Sequence, residues 1–135
     1  MKKALSILLI SLFMATGCDL AQPDPVILSD STPQLSVQGK VLFRYEDSTC
    51  QLGFNLERAE FRMHTDTMSD YVFLTLDHIP ASVGEQVTAN EISWTSPDDV
   101  EYRKKIILEV LKFEDGTIWL WSSRNQIALV VRELE

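Results

Sequence analysis

The sequence predicts an all-β protein: about eight antiparallel strands in a meander-type β-sandwich or small flattened barrel. Three observations predict it. From Leu35 onward apolar and polar residues alternate with period 2, the signature of half-buried strands. Turn-forming residues interrupt that alternation every roughly 8 to 14 positions. Asp115-Gly116 sits between two apolar runs, a strong two-residue hairpin signal.

The strands follow in order. Val37, Gly39, Val41, Phe43 and Tyr45 fall on one face of a first strand, and Gln38, Lys40, Arg44 and Glu46 on the other. The polar run 46–49 turns the chain, and Cys50, Leu52, Phe54 and Leu56 alternate after it. A break at 57–59 leads to Phe61 and Met63, and 66–70 reads as a loop. Residues 71–79, YVFLTLDHI, are more continuously apolar and suggest a central strand. A turn at 80–85 precedes 86–94, with Ile92 and Trp94 on one face, and Pro97 marks a further loop over 95–101. Residues 103–114, 117–123 and 127–134 complete the set. A helix over 98–113 competes, with Val100, Ile107, Val110 and Leu111 as its stripe and Asp98 or Asp99 as its cap. The Asp-Gly turn and the aromatic strand after it favour the hairpin. Residues 35–135 are long enough for one core without disulfides.

The N-terminus has a different texture. Lys2 and Lys3 precede an apolar block from Leu5 to Met14, which is too short for the roughly 20 residues of a bilayer-spanning helix. Small residues Ala15, Thr16 and Gly17 follow, so residues 1–17 read as a secretory signal peptide. Residues 18–34 hold three of the five prolines and read as a linker. The motif ATGC at 15–18 resembles the lipobox of bacterial lipoproteins, departing from it only at Ala15, where Leu is commoner. The resemblance covers residues 1–18. It implies cleavage before Cys18 and three acyl chains (palmitate among them) on that residue, and two or more chains anchor stably. With its linker and compact β domain, the chain also resembles small all-β lipoproteins of Bacteroidetes-type gut bacteria. That likeness implies the cell envelope and the outer membrane, whereas Asp19 resembles an inner-membrane retention signal.

Acylation of Cys18 would leave Cys50 without an intramolecular partner, and its strand position reads as a buried, inert thiol. Without Lys2 and Lys3, ten basic residues face 20 acidic ones, a formal charge of −10. This argues against nucleic acid and anionic membrane surfaces as partners.

Trp119 and Trp121 share a face at i and i+2 and are candidates for a stacking platform, which Trp94 could join. Burial in a central strand is the competing reading. His64, Asp66, Ser69 and Asp70 invite a triad, but nothing around Ser69 resembles a nucleophile elbow, and such residues form turns through their own backbone. Asp98, Asp99 and Glu101 lack the spacing of a calcium loop. No catalytic residue, metal site or cofactor is expected. The expected function is a membrane-tethered binding or assembly module with a protein or glycan partner in the envelope. The alternatives are a lipocalin-like carrier, its cavity lined by Phe43, Phe54, Phe73 and Trp119, and an envelope hydrolase built on His64 or His78.

Overall fold

The computed structural model describes residues 28–96 and 99–133; the expected signal peptide at 1–17, Cys18, Asp19 and Asp98 lie outside them. The strands are β1 (Gln34–Val37), β2 (Lys40–Arg44), β3 (Cys50–Asn55), β4 (Glu60–Thr65), β5 (Tyr71–Leu76), β6 (Gln86–Ser96), β7 (Asp99–Glu114), β8 (Thr117–Ser122) and β9 (Ile127–Arg132). They form one sheet in the order β2-β1-β9-β8-β7-β6-β5-β4-β3. The fold is therefore all-β and mostly a meander, and the single sheet curls into a half-barrel. One apolar cluster draws on all nine strands, from Leu35 and Phe43 through Phe61, Leu74, Ile92 and Leu108 to Leu120 and Leu129. Nine strands can share one core only if the sheet bends round on itself.

Every neighbouring pair is antiparallel, so with nine strands the two edges, β2 and β3, run in the same direction. They are also consecutive in the chain. Parallel neighbours pair side by side only across a crossover of a dozen or more residues. The connection 45–49 is far shorter, so β2 and β3 act as two halves of one bent strand, the first paired to β1 and the second to β4. The bend is a tight turn in which the Glu46 carbonyl accepts from the Thr49 and Cys50 amides at 3.1 and 2.8 Å.

The first expected strand is a hairpin. Gln38 and Gly39 both have positive φ, 54° and 80°, which gives the mirror-image turn that suits strand twist. Val37 and Phe43 therefore pack inward from two different strands, whereas Val41 is half exposed. Asp115 and Gly116 form the expected turn of the same kind, with φ of 52° and 78°. The loop expected over 95–101 is mostly strand, because β6 and β7 stay paired up to Ser96 and Asp99. Bulges also shift the inward face. One residue, Asn90, is extra between the pairs Thr75–Glu91 and Leu76–Ala89. Val87 and Ala89 before it and Ile92 and Trp94 after it consequently all face inward.

The expected carrier cavity does not form from its four named residues. Phe43 and Phe54 pack in the interior cluster, but Trp119 belongs to a second cluster on the outer face, and Phe73 also points outward. Phe54 instead packs against Phe61, ring centroids 4.9 Å apart and planes tilted by 42°. Cys50 is buried in the interior cluster, as expected. Leu129 is completely buried at the centre of β9. Leu129→Ala should lower unfolding stability by about 2–5 kcal/mol, read as a fall in urea midpoint at unchanged slope.

Candidate functional site

The outer face of the sheet carries two apolar areas, and the chain itself covers one of them. Trp119 and Trp121 point outward from β8 and pack with Ala128, Val130 and Leu111. Their exposures are only 1% and 9%. Residues 28–33, expected to be linker, lie along this part of the sheet as a strap. The indole N–H of Trp119 donates to the Asp30 carbonyl (3.1 Å), Lys112 Nζ to the Leu28 carbonyl (3.3 Å) and Arg132 to the Ser31 carbonyl (3.2 Å). The Lys112 ammonium also lies 4.7 Å from the centre of a Trp119 ring. Asp30 latches the strap. Its carboxylate accepts from Arg44 at 2.7 Å, from the Thr32 amide at 3.0 Å and from Gln34 at 3.1 Å. Burial alone would raise the Asp30 carboxyl, but these hydrogen bonds outweigh it and hold it well below the ordinary carboxylate range.

The three tryptophans are not brought together. Trp94 faces inward at 3% exposure, with the Arg103 guanidinium 5.4 Å from its ring centre and Glu101 bound to Arg103 at 3.1 Å. None of the three presents an open ring face in this conformation. Of the three acidic residues read for a metal loop, Asp99 and Glu101 lie in β7. No group of three or more metal-ligating side chains occurs among the described residues.

The second apolar area is open. On the outer face, pairing aligns Gly53, Arg62, Phe73, Ser93 and Tyr102 in one row across β3 to β7. Gln51, His64 and Tyr71 form the row beside it. Arg62, His64, Met68, Tyr71, Phe73 and Ser93 line a groove of about 320 Å³, within the size range of small-ligand pockets. The Phe73 and Tyr71 rings are half-buried, and Met68 is 58% exposed. Met68 sits in the β4–β5 loop with φ +62°, an uncommon conformation for an unbranched non-glycine residue. Hydroxyl contacts among Thr65, Thr67 and Ser69, at 3.0 to 3.4 Å, tie that loop together. Ser69 is thus engaged with threonines, as a turn residue would be, and it makes no bond to His64.

The chemistry of the groove is specific. His64 Nδ1 lies 2.9 Å from the Thr65 carbonyl oxygen, which can only accept. Nδ1 therefore carries the proton, and in the neutral ring Nε2 is an acceptor. The hydroxyls of Tyr71 and Ser93 make no hydrogen bond among the described residues. Arg62 lies flat over Gly53; a Cβ there would come within 2.9 Å of the guanidinium. Its one ionic partner among the described residues is Glu60, at 3.4 Å.

The chain matches no protein-family model, no curated protein and no solved structure.

His78 stands apart from this groove, beyond the far end of β5 from His64. Its Nδ1 is 2.8 Å from an Asp77 carboxylate oxygen, and its Nε2 contacts a Glu85 carboxylate oxygen. Glu85 also accepts from the Ala81 and Ser82 amides at 2.8 and 3.1 Å, closing the 77–85 loop. The bond to Glu85, aided by the Asp77 charge, raises the His78 pKa; the Ala81 amide and His78 lower that of Glu85.

Two outcomes are expected. Because the folded-state pKa of His78 is raised, its contribution is complete below the ordinary histidine value of about 6.5 and disappears as pH rises through the folded value. The stability difference between wild type and His78→Gln should therefore shrink toward alkaline pH, as read in urea midpoints. Asp30→Asn should loosen the strap, lowering stability by about 1–3 kcal/mol and increasing acrylamide quenching of tryptophan. The Asp30 contribution should be complete above the ordinary carboxylate range and be lost only as pH falls through its depressed value.

Proposed function

We propose that the protein is a membrane-anchored lipoprotein of the cell envelope whose half-barrel is a binding module, meeting its partner through the outer sheet face. The observation that carries this reading is the open groove of Phe73, Tyr71, Met68, Arg62 and His64. An uncovered apolar surface with convergent polar groups is what a recognition site requires. The anchor rests on the lipobox-like ATGC motif at 15–18. Acylation at Cys18 would place the tether ten residues before the strap. The acidic surface suits a domain held near an anionic bilayer without adhering to it. An apolar carrier is less well supported, because the interior face is filled by side chains from every strand. No catalytic role is proposed.

Expression in a bacterium that processes lipoproteins tests the anchor. With an alkyne palmitate analogue, the full chain should take up label and partition into detergent, whereas Cys18→Ser should do neither. Equal labelling of both would overturn the anchor. A photo-crosslinking side chain at position 71 should capture an envelope component, and one at Ile107, exposed on β7 outside the groove, should not. Equal capture at both would overturn recognition through the groove.

A further inference from the structure

We propose that the outer-face groove binds a neutral saccharide ring, an inference that rests on the binding-module reading and names its ligand class. A sugar ring has an apolar C–H face and an equatorial rim of hydroxyls that both donate and accept. The groove offers the complement of both. The Phe73 ring provides the apolar wall, with the adaptable thioether of Met68 beside it. Around that wall stand four polar groups of mixed sense: two hydroxyls without partners among the described residues, Tyr71 and Ser93, the His64 Nε2 acceptor, and the Arg62 guanidinium. A fatty acid would strip water from these groups and return no hydrogen bonds, a cost of roughly 1–3 kcal/mol for each group buried unpaired. It would also need a closed apolar tunnel, and this groove is shallow.

Charge selects a neutral ring. Arg62 is already countered by Glu60, Asp70 stands at the head of β5, and the whole chain carries a formal net charge of −8. An anionic sugar would find no uncompensated cation there. The remaining N–H groups of Arg62 are suited to donating to sugar hydroxyls.

Gly53 is the positioning residue. Without a side chain it lets the guanidinium lie against β3, beside the groove. Gly53→Ala would put a Cβ 2.9 Å from the far end of a flexible side chain. Arg62 should swing away at little structural cost, so affinity would fall while stability holds.

The test is saturation-transfer NMR and calorimetry on the detergent-solubilised full chain. The probes are cellotriose, maltotriose and chitotriose, with a glucuronate trisaccharide and laurate alongside. Binding of at least one neutral trisaccharide is expected, weakened tenfold or more in Phe73→Ala and several-fold in Gly53→Ala, with urea midpoints for Gly53→Ala unchanged. Equal or tighter binding of the glucuronate probe would overturn the neutral-sugar assignment. Binding of laurate alone, abolished in Phe73→Ala, would overturn the sugar and leave the binding module standing. Silence from every probe would also overturn the sugar; the position-71 crosslink then decides separately whether the groove binds anything.

Discussion

Burial of one face of all nine strands in a single interior is the constraint on which the rest of this structure depends. A flat nine-stranded sheet would leave Leu35, Leu74, Leu108 and Leu129 in water, and each buried side chain of this kind stabilises by about 1.5–3 kcal/mol. Curling brings the faces together with no disulfide among the described residues. The bend at Glu46 is where the curl is completed. There the chain passes from one edge of the sheet to the other without reversing, so the two edge strands meet end to end rather than side by side.

That geometry determines what can happen outside. Since the interior is committed to packing, the groove lies on the outer face. Two apolar areas lie there, and they have been treated differently. The Trp119 area is sealed by the strap, whose backbone carbonyls satisfy the indole and the Lys112 ammonium. A charge-assisted latch at Asp30 secures it, with Arg44 from β2 as the strongest partner. The strap therefore ties β2 to β7, β8 and β9, which lie far from it in sequence. The Phe73 area has no such cover. Its direct neighbours along the rows are small or polar, Gly53, Arg62 and Ser93 on one row and Gln51 on the next, so the two rings stay half-buried and uncovered.

Electrostatics follow the same division. Charge at the strap and beside Trp94 is paired at short range, as with Asp30 and Arg44 or Arg103 and Glu101. His78 sits between two carboxylates in an exposed loop, where it closes the segment between β5 and β6. Among the described residues His64 is held through its backbone contact, made by Nδ1. The two histidines are thus chemically different despite similar sequence settings, each preceding or following a strand end beside an acidic loop.

The sequence by itself determined the strand content. Period-2 alternation located β3 and β4, apolar runs bounded by turn residues located β5, β8 and β9, and Asp115-Gly116 marked its hairpin, because these signals depend only on residues adjacent in the chain. The second hairpin escaped it, since Gln38 is a weak marker for a positive-φ turn and Gly39 also fits the alternation of one longer strand. The faces of β6 were only half legible, because the bulge at Asn90 exchanges odd for even positions and is set by its neighbours on β5. The pairing of Trp119 and Trp121 on one face was legible, but their burial was not. It depends on a strap that sequence texture presents as linker, fixed by Arg44 and Trp119, which lie 14 and 89 positions from Asp30. The groove was not legible at all. Its members Arg62, Phe73 and Ser93 become neighbours only through strand register, and register is decided by the shared interior, not by any local run of residues.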